Sequence, residues 1–220
     1  MKGKSILIFF ILVALVDLFF VASPACNQFR IFSKPLLMPV LAVYLVGSGL
    51  TSARKKMLLA GLAFATAGDI LLLKMESTPY FMGGLISFLL THICYVFYFA
   101  SFKSSEKKLY QQYPFLFILI LMYAGTLIYF LYPHLGTMLV PVIVYTVVLM
   151  SMLIACLYAY YGFRKETRNL FLGGSVLFVL SDSVLAVNTF HTAFSGAGII
   201  IMSTYCAAQA LIVYAASRNN

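Results

Sequence analysis

The sequence predicts an all-α protein: a polytopic bundle of eight transmembrane helices forming one domain over residues 1–220. Three observations predict it. Of the 220 residues, 63% are hydrophobic and only 10% charged, whereas soluble domains carry about 25% charged residues. Mean hydropathy is +0.99. The apolar residues also come in continuous runs of about 20 rather than in alternation, which favours helices over a transmembrane barrel.

The runs read as spans at roughly 5–22, 35–51, 57–74, 81–101, 114–131, 137–161, 169–187 and 196–216. Each is about long enough to cross the hydrocarbon core. The first follows Met1-Lys2-Gly3-Lys4, the flank of a signal peptide. It is read as a retained helix, because the run contains Asp17 and meets no clean small-residue cleavage site; Pro24-Ala25-Cys26 only imitates a lipoprotein box. The second opens with Lys34-Pro35 at the outer surface. The third holds Gly61, Ala65 and Gly68 ahead of Asp69. In the fourth, Thr91 and His92 lie four and three residues before Tyr95, which sets all three on one face. The sixth places Tyr145 one turn after Pro141, and the seventh carries Gly173-Gly174-Ser175 before Ser181-Asp182. In the eighth, Tyr205 and Gln209 share a face. Small residues of this kind let membrane helices approach closely.

The net charge of +9 is not a nucleic-acid signature, because the basic residues lie in short gaps between apolar runs. With the N-terminus inside, all but Arg30, Lys34 and Lys74 of the 15 Lys and Arg residues fall on the cytoplasmic side. The prediction is therefore N-in/C-in. Spans three and seven then run outward, and Asp69 and Asp182 each stand about five residues before the outer end, within about 10 Å of the surface. Asp17 lies at a similar level. The two aspartates meet at one depth if their helices are neighbours.

Four cysteines are present, with no C-x-x-C spacing and no Cys/His cluster, so neither a disulfide framework nor a zinc site is expected. No G-x-S-x-G, H-E-x-x-H or Walker sequence occurs. The expected cofactor and metal content is none.

An acid in hydrocarbon is expensive and by default marks a functional site. Asp69 and Asp182 are therefore the first candidates. For His92, Tyr145 or Gln209 taken singly, an interhelical hydrogen bond worth about 0.6 kcal/mol is an equally good reading. There is also a hint of duplication. His92 lies 23 residues after Asp69, with Tyr95 three further on; Tyr205 lies 23 residues after Asp182, with Gln209 four further on. Spans three-four and seven-eight run in the same sense, which suggests a parallel 4+4 repeat.

Lys34-Pro35, Gly68-Asp69-Ile70-Leu71-Leu72, Phe81…Gly84…Phe88…His92…Tyr95, Pro141…Tyr145, Phe178…Ser181-Asp182…Leu185…Phe190 and Tyr205…Gln209, in this order and spacing, resemble the YhhN-like lysoplasmalogenase family. The resemblance covers spans two to eight. It implies an integral membrane alkenyl ether hydrolase that cleaves the vinyl ether bond of lysoplasmalogens (1-alkenyl-glycerophosphocholine or -ethanolamine) to a fatty aldehyde and a glycerophospho-base. By the same resemblance Asp69 and Asp182 carry the acid–base role. The expected partners are a lysophospholipid substrate and membrane lipids, with no nucleic acid. The expected location is a bacterial inner (plasma) membrane, crossed many times.

The chemistry suits the residues. Vinyl ether hydrolysis needs one protonated carboxyl to deliver a proton to carbon and one carboxylate to activate water, the division of labour used on oxocarbenium-like states by glycosidases. Tyr145, His92, Tyr95, Tyr205 and Gln209 would orient water or substrate. Lys34 would attract the lipid phosphate, although a snorkelling lysine is the ordinary reading. Two other functions fit the same acids: a proton-coupled transporter of a small amphiphile, and a non-catalytic lipid-binding or assembly subunit.

Overall fold

The computed structural model describes residues 2–48, 52–102 and 112–219. Lys103, Lys107 and Lys108, which contribute to the inner-side charge bias, lie outside the described residues. Long α-helices and short tight turns account for the elements, and no strand occurs among the described residues. The helices are α1 Lys2–Ala22, α2 Arg30–Val46, α3 Ser52–Leu71, α4 Thr78–Ala100, α5 Phe115–Leu135, α6 Leu139–Ala159, α7 Arg168–Ala186 and α8 Ala197–Arg218.

Among the described residues, seven helical stretches are long and apolar enough to cross a membrane. One of them, Phe115–Gly162, is 48 residues long. It contains both α5 and α6, which are joined by a 3-10 turn at Gly136–Met138. The joint turns on Gly136, whose φ of 48° is open to a residue without Cβ.

Most expected bounds hold to within a few residues, and α2 departs furthest. The span expected from residue 35 begins at Arg30, directly after a 3-10 turn at Pro24–Phe29. Lys34 and Pro35 therefore sit a full turn inside α2 rather than at its mouth. The shift matters for function, since it buries Lys34 in the bundle instead of leaving it at the surface.

The tightest packed pairs are α3 with α4 and α7 with α8. Glycine explains the closeness. A Cβ on Gly61 would meet the Tyr95 ring at 2.5 Å, one on Gly68 the Phe88 ring at 2.7 Å, and one on Gly174 the Ile212 side chain at 2.8 Å. In the second pair the expectation is met by Gly174; Gly173 faces only Leu211 at 3.9 Å. α1 packs on α2 and α8, α2 on α3, α4 on α6, and α6 on α7. α3 and α7 are not among the closely packed pairs, so the helices bearing the two aspartates flank a space rather than touch along their length.

The buried centre is aromatic and aliphatic: Phe171, Phe178, Tyr95, Tyr98, Phe99, Leu41 and Leu62 are among its fully buried members. Outward-facing side chains are just as apolar, including Phe9, Phe32, Leu121, Val140 and Val147. Apolar residues on both the inside and the outside of a helical bundle are what lipid surroundings demand.

Candidate functional site

Asp69 lies two residues before the end of α3, where Gly68 lets Phe88 of α4 lie against the helix. The carboxylate is 1% exposed. Two groups from other helices serve it. Tyr205 of α8 donates its phenol to Oδ2 at 2.8 Å, and Lys34 of α2 places Nζ 3.7 Å from Oδ1.

Asp182 lies near the end of α7 and is 10% exposed. Tyr145 of α6 donates its phenol to Oδ2 at 2.6 Å. His92 of α4 places Nε2 3.5 Å from the same oxygen. The imidazole is fully buried, edge-on to Phe178 at 4.6 Å and to Tyr145 at 5.4 Å. Neither of its ring nitrogens has a well-formed hydrogen bond among the described residues.

The two carboxylates line one cavity of about 140 Å³. Its wall also includes Arg30, Lys34, Asn188 and Tyr205. Asp182 lines a second cavity as well, of about 50 Å³, whose wall is mostly apolar, with Phe81, Leu85, Leu127, Leu131, Val142 and Phe190 beside Tyr145, Thr146 and Ser183. Leu72, Phe88 and Leu185 are common to both walls, so with Asp182 they form the waist between a polar and an apolar space. Asn188 belongs to a π-helical turn, Val187–His191, that extends α7. Such turns gather at functional sites, because they re-aim side chains that a regular helix would direct elsewhere.

The 23-residue spacings that hinted at duplication do not link each aspartate to its own half. The residue 23 positions after each aspartate serves the other one: His92 meets Asp182, and Tyr205 meets Asp69. Tyr95 and Gln209 do not reach the cavity. Tyr95 donates to Gln209 Oε1 at 2.5 Å, a buried α4–α8 link in which neither contacts a carboxylate.

Arg30 and Asn188 had no distinguishing signal in the sequence. Arg30 was counted only as one of the few outer cations. In the fold its Nε and Nη2 each lie 3.4 Å from the carboxylate of Asp17, which also accepts a 2.6 Å hydrogen bond from Ser33. Asp17 is thus a saturated structural acid tying α1 to α2. All three expected outer cations are engaged: Arg30 with Asp17, Lys34 with Asp69, and Lys74 over the Tyr80 ring at 5.4 Å. Among the described residues no group of three or more His, Cys, Asp and Glu side chains could hold a metal ion.

A family model described as the YhhN family matches residues 29–216. Lysoplasmalogenase TMEM86B of Mus musculus is 31% identical over 205 residues, covering 90% of this chain and 79% of the mouse protein. The Rattus norvegicus protein of the same name is 31% identical over 192 residues, covering 84% of this chain and 71% of the rat protein. The Homo sapiens protein is 34% identical over 145 residues, 63% of this chain, and the match spans only about half (55%) of the human protein's length. No solved structure matches this chain. The family match takes in both aspartates and all four of their partners, and with the run of apolar helices it makes the chain a multi-pass helical membrane protein that belongs to the YhhN family.

Proposed function

We propose that this protein is a lysoplasmalogenase-type ether hydrolase, in which Asp69 and Asp182 act as an acid–base pair on the vinyl ether of a lysoplasmalogen. The observation that carries the proposal is the position of Asp182 at the waist between a polar cavity shared with Asp69 and an apolar one. A vinyl ether is where the polar and apolar parts of a lysoplasmalogen join. The names of the relatives point the same way.

The two aspartates take different parts because their neighbours differ. Asp69 sits beside the Lys34 ammonium and serves as the carboxylate. Asp182 has only a phenol and an imidazole beside it and serves as the proton donor. The Asp182 carboxyl gives its proton to the vinyl carbon remote from oxygen, leaving an oxocarbenium ion. Water then bonds to the cationic carbon while Asp69 takes its proton, giving a hemiacetal. In the collapse Asp69 returns that proton to the glycerol oxygen as the C–O bond breaks, and Asp182 takes the hemiacetal hydroxyl proton as the aldehyde forms. Both carboxyls end as they began, and one water is consumed. Tyr205 and Tyr145 hold the carboxylates in place, and His92 closes the buried side of Asp182. Arg30, Lys34 and Asn188 make the polar wall that faces the phosphate.

The proposal includes eight crossings, N-in/C-in. The 48-residue stretch would span about 72 Å if straight, more than twice the hydrocarbon core of about 30 Å. Its break at Gly136–Met138, and the packing of α5 on α6, favour two crossings. It also includes a parallel repeat of α1–α4 and α5–α8. Support comes from the exchanged partners of the two aspartates and from matching packed pairs, α4 on α6 and α8 on α2.

The test is purified protein in detergent or proteoliposomes with lysoplasmalogen and its saturated alkyl ether analogue. Release of fatty aldehyde from the first and none from the second is expected. Passage of intact lipid across the bilayer without cleavage would instead establish a transporter.

A further inference from the structure

The two cavities at the aspartates measure about 140 and 50 Å³, whereas sites for drug-sized ligands occupy about 300–1,000 Å³. A lysolipid with a long hydrocarbon chain does not fit in them. A third space does have the size. Between α5, α6 and α7 runs an open apolar groove of about 770 Å³, with Leu119, Met122, Met150, Leu153, Val176 and Leu180 in its wall.

This groove continues the small apolar cavity along the same three helices. On α5 the cavity wall holds Leu127 and the groove wall Thr126; on α6 the cavity wall holds Leu149 and the groove wall Met150; on α7 Leu180 of the groove lies one turn before Ser183 of the cavity. A side-chain hydrogen bond between α5 and α7 crosses between the two spaces: Tyr123 of α5 donates to Ser183 of α7 at 2.7 Å. The groove exists because α5 stands off the bundle. Its main neighbours are α6 and the π turn, whereas α1, in the matching place of the other half, packs on α8.

We infer that the groove between α5 and α7 is the hydrocarbon-chain site of the enzyme, reached from Asp182 past the Tyr123–Ser183 bond and open sideways to the lipid, and that it selects for amphiphiles with one long unbranched chain. The inference rests on the lysolipid reading of the site at Asp182. The head group would lie in the cavity walled by Arg30, Lys34 and Asn188, the scissile bond at the waist, and the chain along α5. Lateral opening lets product aldehyde leave directly into the bilayer, where its solubility is highest.

The experiment uses wild-type protein in phosphatidylcholine vesicles and a non-cleavable 1-O-alkyl lysophospholipid bearing a diazirine at the chain end. Light should attach the probe to groove residues of α5 and α7, and unlabelled lysolipid should suppress at least about three-quarters of that labelling. Labelling spread evenly over outward residues such as Phe9, Phe32 and Val140, without suppression, would overturn the inference. A second arm measures Leu180→Trp, a change on the half-exposed groove wall. Turnover of a long-chain lysoplasmalogen should fall at least tenfold while a short-chain one stays within twofold, and equal losses for both would overturn the inference. The crosslink needs no cleavage, so the two readings separate: groove labelling without aldehyde release defeats the hydrolase reading alone, and aldehyde release without groove labelling defeats this one alone.

Discussion

Asp69 of α3 and Asp182 of α7 line one cavity but have different immediate neighbours. Each receives one group from the helix before its own and one from the far half: Lys34 of α2 and Tyr205 of α8 for Asp69, Tyr145 of α6 and His92 of α4 for Asp182. The frame is shared and the chemistry is not. One acid has a cation at 3.7 Å, the other a buried phenol and an imidazole walled in by Phe178 and Tyr145. Two like groups share one cavity, and the proposed division of labour between them rests on these different neighbours. The outer helices differ in the same way. α1 closes against α8 and is bound to α2 through Asp17, Arg30 and Ser33, while α5 leaves an apolar crevice.

The comparison breaks most completely if either acid proves dispensable. Asp69→Asn and Asp182→Asn should each lower aldehyde release by about 10²–10⁴-fold, the range for a general acid or base. Purified variants assayed at saturating lysoplasmalogen will show it.

The next largest effect concerns the cation. Lys34→Met leaves the Asp69 carboxylate buried without a counter-charge, which should cost about 3–5 kcal/mol of stability. Adding Asp69→Asn should restore much of that loss. Thermal unfolding of the two single variants and the double variant measures the coupling, and additive losses would mean the pair contributes nothing.

The phenols offer a finer discrimination. A hydrogen bond to a charged group contributes about 1.5–3 kcal/mol and one to a neutral group about 0.5–1.5 kcal/mol. Tyr205→Phe, at the carboxylate, should therefore depress kcat/KM by roughly 10–100-fold, and Tyr145→Phe, at the acid, by roughly 2–10-fold. The reverse order would exchange the roles assigned to the two aspartates.

The smallest effect is expected away from the cavity. Tyr95→Phe or Gln209→Leu removes the α4–α8 link, worth about 0.6 kcal/mol in a typical membrane interface. Turnover should stay within about threefold and the melting temperature should fall slightly. A large kinetic loss with unchanged melting would return these two residues to the site.

The helices were legible because a bilayer imposes length and apolarity on each of them, and Asp69 and Asp182 were legible because acids are rare in such runs. The partner types were also legible: a phenol, an imidazole and an amide inside apolar helices require company. Which partner serves which acid was not. Spacing along a helix pair carries no information about which neighbouring helix a side chain faces, so it could not tell that His92 meets Asp182 and Tyr205 meets Asp69. The depth of Lys34 was hidden by the 3-10 turn that starts α2 early. The standing-off of α5 left no trace, since lipid-facing and cavity-facing residues are equally apolar there.

Isotope placement in the product tests the central account most directly. Wild-type protein turning over lysoplasmalogen in D₂O, with the aldehyde trapped by immediate reduction to the alcohol, should give one deuterium on carbon 2 of the chain. Asp182→Asn and Asp69→Asn should give no more than trace product. Product from the wild type lacking deuterium at carbon 2, or either variant turning over within tenfold of the wild type, would contradict the paired-aspartate mechanism.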